Sequence, residues 1–368
     1  MRECNLVSVA SIANDPSFAA LFHVVTTHPL QIPQMELDNL ILLIYVLHQK
    51  YTGPCSQISG YLATIPTEYN SSSYWPDEFL RLLAGSVLCT ATLARREELL
   101  QLHQCVFSLL DTVLPAFAAY FTWENFIWAM TTIDSRAFRV LKDGSDATIL
   151  APFADLINHS FEGQIVSKRF DAKARELVLA ANGPVGPGEL LMSYGDMDNA
   201  RLLLFYGFAV DDNPYDCVEL LFEPPEGDST ATLKCATLAS MNCSLENYLK
   251  RDLSDVPKTV LALRILLLGD DAYTEVALRQ VVSGTLEHKT GYPLGPIVSV
   301  EHEQAVLDTM CNVLADLYQQ YAAMSAGLRS FDYSAVTHVL CFFRGQLEII
   351  TIVSSYLAHC ATLLTATS

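Results

Sequence analysis

The sequence lacks any C-x-x-C pair, although it contains ten cysteines. A disulfide framework or a structural zinc site needs cysteines at close, regular spacing, whereas scattered cysteines are typical of reduced, mostly buried thiols. Histidine does not supply a metal site either, because no second ligand stands at helical or hairpin spacing from His159. The sequence therefore predicts a protein without a metal centre.

Basic residues are scarce: 22 lysines and arginines stand against 41 acidic residues, for a net charge of −19. A nucleic-acid-binding surface needs clusters of basic residues, so we expect no nucleic-acid partner. The acidic balance favours a basic partner such as a lysine-bearing protein surface, although it is also ordinary in cytosolic proteins.

A secretory signal is absent, since the first residues, MRECNLVSVA, have no basic region followed by an apolar run. We expect a cytoplasmic or nuclear protein that is not secreted. The apolar run from Ile349 to Thr365 is interrupted by Ser354, Ser355 and His359. It predicts a buried helix rather than a membrane span. With 368 residues, 51% hydrophobic and 17% charged, the chain is long enough for two domains and a large core.

The potential site residues concentrate between Pro152 and Phe208. This stretch opens with PFADLINHS (152–160) and closes with MSYGDMDNARLLLFYGF (192–208). Short alternating runs predict strands at 164–170, at 176–181 and at 190–194, the last after the turn PVGPGE. Within that turn we interpret Gly188 and Glu189 as turn residues with no further role. Phosphate-loop, dinucleotide and protease motifs are absent.

The stretch resembles the SET-domain protein methyltransferases of the Rubisco large-subunit lysine methyltransferase type. The resemblance is carried by DLINHS (155–160), Tyr194-Gly195 with Asn199, and Tyr206-Gly207-Phe208, preceded by Trp128-Ala129 and SRAF (135–138). It implies an α+β fold, with a β-rich SET core and a helical insert, followed by an all-α C-terminal domain.

The domain boundaries follow from the resemblance and from the Pro/Gly/acid cluster at 223–228. We expect a SET domain over residues 1–222, with the helical insert at about 36–130 and the core at 131–215. SGYLATIPTEYNSSSYWPDEFL (59–80) resembles part of that insert. Residues 229–368 have apolar residues at helical spacing, and we expect an all-helical, substrate-binding-like domain there.

The resemblance implies protein-lysine N-methylation with S-adenosylmethionine as cofactor and a protein carrying the acceptor lysine as partner. Tyr194 matches the catalytic tyrosine, whose hydroxyl lies beside the transferred methyl group. Tyr206 matches the tyrosine that lines the lysine channel. Without the resemblance, both would be interpreted as core aromatics with their hydroxyls at the surface.

The cofactor residues implied by the resemblance are Asn158, His159, Ser135, Arg136 and Phe208. Asn158 and His159 match the family's cofactor-binding pair, and Ser135 and Arg136 match positions that reach the methionine end of the cofactor. An arginine suits a carboxylate because its fork can donate two parallel hydrogen bonds. Phe208 packs against the adenine or closes the core. A satisfied turn and a surface salt bridge are the structural alternatives for Asn158-His159 and Arg136.

One expected feature is not found: the family begins its SET core with a Gly-x-Gly segment, whereas the first glycine here is Gly53. Either the chain lacks the first part of that core or this protein does without it. If the chain is complete as given, we expect a cofactor pocket open on one side, with weakened cofactor affinity. Two alternatives stay open, namely a non-catalytic SET-like protein that binds a partner, and a histidine methyltransferase, since some relatives methylate a histidine of actin.

Overall fold

The computed structural model describes residues 1–2, 5–27, 34–269, 272–283 and 292–366. The sequence predicts interruptions of helices at His28-Pro29, Ile32-Pro33, Gly284 and Gly291. These residues lie outside the described ranges.

The chain divides into two compact units. The first comprises Met1–Asp77, Leu88–Met197 and Arg201–Phe208, and the second comprises Glu78–Val87, Asp198–Ala200 and Ala209–Ser368. The Pro/Gly/acid cluster at 223–228 falls inside the second unit. The site residues expected from the sequence fall inside the first.

Helices account for most of the chain before the SET core. They are α1 (Val9–Ile12), α2 (Ala19–Thr27), α3 (Gln34–Thr52), α4 (Ser59–Leu62), α5 (Asp77–Arg81), α6 (Val87–Val113), α7 (Pro115–Ala118) and α8 (Trp123–Arg136). Thr122 caps α8, because its side chain accepts a hydrogen bond from the Asn125 N–H. One hydrophobic cluster joins α3, α6 and α8, with Ile44, Val106 and Phe126 fully buried. This helical layer carries Arg136 at its end, where α8 passes into the first long strand.

Two small sheets form the core that the strand runs predict. Their strands are β1 (Val7–Ser8), β2 (Ala137–Lys142), β3 (Ser145–Leu150), β4 (Asn158–His159), β5 (Ile165–Asp171), β6 (Glu176–Ala181) and β7 (Leu191–Met192). One sheet has the order β1-β3-β2 and the other the order β4-β7-β5-β6. The three strands expected between 164 and 194 are therefore present, although the last is shorter than its apolar run.

A second hydrophobic cluster packs the two sheets together. It combines Phe138 and Ile149 from the first sheet with Phe170, Leu177 and Met192 from the second. Tyr194 lies against this cluster as a partly buried side chain. The alternating pattern of the strands thus fixes which side of each sheet faces the core, and the core in turn supports the end of β7.

The second unit is mostly helical, as expected. The helix α9 (Asn199–Phe205) has its first two residues in the second unit and the rest in the first. The second unit also contains β8 (Cys217–Leu221), α10 (Ala231–Ser240), β9 (Glu246–Lys250), α11 (Val256–Leu266), α12 (Ala272–Ser283), α13 (Val300–Leu328) and α14 (Val336–Ala366). The α+β architecture is confirmed. The expectation that 229–368 is entirely helical is wrong at β9, which pairs antiparallel with β8. A five-residue strand is easily missed because its partner lies 25 residues or more away in the chain.

The C-terminal helix α14 is long and apolar enough to cross a membrane by length and composition alone. Core helices of soluble proteins pass the same test. In the structure α14 has one buried face that includes Val339, Phe342 and Leu357, each at most 1% exposed. The absence of a membrane partner remains an expectation from the sequence.

Candidate functional site

The site is built where β4 and β7 run side by side. The two strands are parallel, with Asn158 opposite Leu191 and His159 opposite Met192. Just after β7, the backbone N–H of Tyr194 donates to Nδ1 of His159 at 3.1 Å. The Tyr194 hydroxyl donates to the carbonyl of Ile157 at 2.8 Å. The resemblance predicts that Tyr194 lies beside the Asn158–His159 segment, because both would contact one cofactor, and these hydrogen bonds confirm that placement.

Aromatic rings surround this junction. The rings of Tyr194 and Tyr206 stack with centroids 4.8 Å apart, and the ring of His159 lies 5.1 Å from that of Tyr194. Phe208 packs 5.8 Å from His159 and 6.1 Å from Tyr206. Phe161 meets His159 edge-on at 4.4 Å. The four predicted residues with rings therefore form one cluster, together with Phe161, which the sequence did not single out.

A glycine makes the turn between Tyr206 and Phe208 possible. Gly207 has φ = +80°, and a Cβ there would lie 2.4 Å from the backbone carbon of Asn70. The Asn70 side chain donates to the Gly207 carbonyl at 3.1 Å. No other residue type tolerates both the left-handed backbone and so close an approach. The loop around Asn70 thus places the two aromatic residues of YGF.

Arg136 reaches the site from the end of α8. Its Nη1 donates to the carbonyl of Asp155 at 3.2 Å and lies 3.4 Å from the Asp155 carboxylate. The same carboxylate accepts a hydrogen bond from Tyr61 at 2.7 Å. The Asp155 side chain is completely buried. Asp155, the first residue of the motif DLINHS, is therefore a direct partner of a predicted site residue.

Ser135 has a local partner, and Asn158 has a distant one. The Ser135 hydroxyl donates to the Thr131 carbonyl at 2.6 Å, within its own helix. The Asn158 side chain is exposed and donates to the Glu189 carboxylate at 2.6 Å. The interpretation of Glu189 as a turn residue and nothing more is wrong. The turn brings a carboxylate onto Asn158, a long-range contact that the sequence does not reveal.

Burial is the largest cause of the pKa shifts of Tyr194, Tyr206 and His159. It raises the pKa of Tyr194, a change that the Arg136 cation opposes and the Asp155 carboxylate reinforces. Burial, together with the nearby Tyr194 and Asp134, raises the pKa of Tyr206 to about 12. Burial also lowers the pKa of His159. At neutral pH both tyrosines keep their hydroxyl protons and the imidazole is uncharged.

Three buried side-chain atoms at the site have no hydrogen-bond partner within the described part of the chain. They are Nε of Arg136, Oδ1 of Asp155 and Nε2 of His159. Because Nδ1 of the neutral His159 accepts from Tyr194, Nε2 carries the imidazole proton. The site thus presents two unused donors and one unused acceptor. Buried polar atoms left unpaired cost free energy, so they indicate a ligand with complementary groups.

The chain has known relatives both in structure and in sequence. The SET domain of LSMT, solved with lysine and AdoHcy, matches it with a TM-score of 0.71 and 18% identity, over all of this chain and 82% of that chain. The fructose-bisphosphate aldolase-lysine N-methyltransferase of Arabidopsis thaliana is 30% identical over 326 residues, 83% of this chain and 62% of the relative. The chain is a homologue of SET-domain lysine methyltransferases, and it shares the fold of the SET domain of Rubisco LSMT.

A second SET-domain relative is SET domain-containing protein 4 of Mus musculus, which is 31% identical over 191 residues. That alignment covers 49% of this chain and 43% of the mouse protein. The chain therefore spans about half of this relative and less than two thirds of the Arabidopsis one. No family model matches the sequence.

Sequence reasoning found most of the SET-domain site but missed its supports. Tyr194, Tyr206, Phe208 and His159 lie together, and Arg136 lies close enough for its charge to oppose the rise in the pKa of Tyr194. The supports that went unnoticed are Tyr61, Asn70 and Glu189. Each of them acts across 31 or more residues of chain. No periodicity or spacing links residues that far apart. Only the family resemblance of 59–80 pointed to the region of Tyr61 and Asn70, and Glu189 was interpreted as a turn residue alone.

Proposed function

We propose that this chain binds S-adenosylmethionine and transfers its methyl group to a lysine side chain of a protein. The observation that carries the proposal is the junction of Tyr194 with His159, next to buried atoms of Arg136, Asp155 and His159 that no described residue satisfies. The names of the Arabidopsis relative and of the LSMT structure support the same reaction class.

The unused groups fit the chemistry of the cofactor. Its amino-acid end has a carboxylate, which suits the Arg136 donor, and an ammonium group, which suits the Asp155 acceptor. Its adenine has ring nitrogens that can accept from Nε2 of His159. When bound, the cofactor supplies an electrophilic methyl group on a sulfonium ion. The chain's own residues bind it, exclude water and orient the acceptor.

The aromatic cluster is suited to line a channel for the acceptor lysine. Methyl transfer from a sulfonium is an in-line displacement, so most of the catalysis comes from alignment of the two reacting atoms. The acceptor amine must be uncharged, and burial among apolar rings lowers the pKa of a lysine. Tyr194 and Tyr206 line such a surface with protonated hydroxyls. Tyr194 is the proposed catalytic residue, and Tyr206 the one that orients the amine.

The partner is proposed to be a protein with a basic surface around the acceptor lysine. The net charge of −19 supports this choice, because it attracts basic partners over several ångströms of solvent. The helical part of the second unit is the proposed docking region, by resemblance to the family's substrate-binding domain.

Calorimetry with S-adenosylmethionine tests the proposal first. We expect saturable binding by the wild-type chain and its loss in the Arg136→Ala variant. A chain that folds but binds no S-adenosylmethionine would overturn the proposal. Binding is then followed by incubation with labelled cofactor and total cell protein, and hydrolysed products are analysed for methylated residues. Methyl-lysine supports the proposal, methyl-histidine selects the histidine alternative, and binding without transfer selects the non-catalytic one.

A further inference from the structure

A tyrosine of the helical insert, which lies outside the expected SET core, contacts a residue of the site. Tyr61 lies in the short helix α4 and donates its hydroxyl to Oδ2 of Asp155 at 2.7 Å, across 94 residues of chain. Tyr61 is only 8% exposed. Its segment, 59–80, resembles the family's insert, but the sequence indicates no role for Tyr61 itself.

The buried carboxylate of Asp155 depends on this hydroxyl. A charged group in a protein interior is costly unless it is paired and hydrogen-bonded. Its second partner, Nη1 of Arg136, lies 3.4 Å from the same oxygen, at the long end of hydrogen-bond range. Oδ1 has no partner among the described residues. Tyr61 therefore makes the shorter of the two side-chain contacts that stabilise the carboxylate.

The same arrangement keeps Arg136 available to a ligand. Its Nη1 is shared between the carbonyl and the carboxylate of Asp155, while its Nε is buried and unpaired within the described chain. Without the Tyr61 hydroxyl, the carboxylate would have Arg136 as its remaining side-chain donor. Arginine and carboxylate form bidentate pairs readily, so the guanidinium would turn towards Asp155. The free Nε donor would then be lost to the ligand.

We propose that Tyr61 is a positioning residue of the methyl-donor site, which holds the Asp155 carboxylate so that Arg136 keeps a free donor for the cofactor's carboxylate. The inference rests on the proposed function. It assigns Tyr61 no contact with the cofactor itself. By this proposal, the helical insert that contains α4 contributes to the cofactor site and does not only stabilise the fold.

The test uses Tyr61→Phe with Tyr45→Phe as the matched control. Tyr45 is also a buried tyrosine of the first unit, and its hydroxyl donates to a carboxylate, Oδ2 of Asp15, at 2.9 Å. Both tyrosines line the same cavity of about 620 Å³. The two variants lose the same kind of hydrogen bond, but only Tyr61→Phe loses the one to Asp155.

Calorimetry is carried out with two probes. We expect Tyr61→Phe to bind S-adenosylmethionine about tenfold more weakly, which corresponds to ~1.4 kcal/mol, and Tyr45→Phe to bind it like the wild type. The second probe, 5′-methylthioadenosine, lacks the amino-acid end. It should bind all three proteins equally, because it makes no use of Arg136. A structural role for Tyr61 would weaken both probes together.

The pH dependence of binding gives a second readout. The titratable groups that face Asp155 are Tyr61 from α4, Arg136 from α8 and Tyr194 after β7. Burial raises the pKa of Asp155, while the Tyr61 hydrogen bond and the Arg136 charge lower it. Tyr61→Phe should raise that pKa further, so affinity should begin to fall at a higher pH on acidification. Asp155→Asn removes the titration of Asp155, so its acid limb should shrink to the part that His159 contributes. This readout also serves if Tyr61→Phe does not fold.

The outcomes separate the two proposals. Absence of S-adenosylmethionine binding by the wild type overturns the proposed function and the role of Tyr61 with it. Wild-type binding that Tyr61→Phe leaves unchanged overturns the role of Tyr61 alone. That role is also overturned if Tyr45→Phe is equally weakened, if both probes lose affinity together, or if Asp155→Asn has the same acid limb as the wild type.

Discussion

The backbone N–H of Tyr194 donates to Nδ1 of His159 across 35 residues of chain, at 3.1 Å. This bond requires the imidazole to be neutral with its proton on Nε2, because a protonated Nδ1 cannot accept. The side chain of a predicted cofactor residue thus fixes the backbone of the predicted catalytic residue. This hydrogen bond therefore bears on the pH dependence of stability and on the placement of the aromatic rings.

Acidification should destabilise the chain through His159. Burial lowers its folded-state pKa below the ordinary value of 6.5. A base with a lowered folded pKa contributes stability that is present above about pH 6.5 and is lost as pH falls through the folded value. His159→Asn offers a neutral acceptor in place of Nδ1 and does not titrate. Urea unfolding at pH 7.5 and 5.5 should show a smaller loss of unfolding free energy in the variant, by up to ~1 kcal/mol.

His48 is a second buried histidine with a lowered pKa, so the wild type and the variant share its contribution. Only the difference between the two proteins reports on His159. Equal losses in both would show that His159 titrates as in the unfolded chain.

Tyr194→Phe should separate folding from turnover. The ring stays packed against His159 and Tyr206, and the hydroxyl loses its bond to the Ile157 carbonyl. Stability should fall by about 1 kcal/mol. The rate of methyl transfer should fall far more, because the lost interaction acts mainly in the transition state. The variant is assayed in a form of the protein already shown to methylate. Full activity there would make Tyr194 a core aromatic.

Tyr206→Phe should change the product rather than the rate alone. Its hydroxyl stays protonated at neutral pH, since its pKa is raised to about 12. In the proposed channel it restricts how the amine turns between transfers. Mass spectrometry of the product should show a different distribution of mono-, di- and trimethylated residues. An unchanged distribution at equal turnover would remove Tyr206 from the channel.

Gly207→Ala should disturb the site through the backbone. The added Cβ would meet the Asn70 backbone at 2.4 Å in addition to the strain of φ = +80°. Gly183→Ala is the control, because Gly183 has φ = +101° and nothing within 4 Å of an added Cβ. The strain that both share costs about 1–2 kcal/mol. Thermal unfolding should therefore show a larger loss for Gly207→Ala, and S-adenosylmethionine should bind that variant more weakly.

The two glycine variants share the backbone strain and differ in the contact between the added Cβ and the Asn70 backbone, so their comparison measures the effect of that contact. If both variants unfold at the same temperature, the Asn70 segment moves freely and does not place Tyr206 and Phe208.

The sequence by itself determined the local elements and the residues that carry the family motif. Its alternating runs predicted β5 and β6 nearly to the residue, because the period of two decides which side chains face a core. Helical spacing predicted the helices of residues 229–368 for the same kind of reason. The motifs DLINHS and YGF singled out Asn158, His159, Tyr206 and Phe208 as candidate site residues before any fold was known. Their roles in binding and catalysis remain predictions.

Only the tertiary structure decided which side chains complete the site. Tyr61, Asn70 and Glu189 come to Asp155, Gly207 and Asn158 from 94, 137 and 31 residues away. Contacts of this range arise from the packing of separate layers, and no local pattern in the chain encodes them. The strand β9 was missed for the same reason, because its stability comes from its partner β8 rather than from its own five residues.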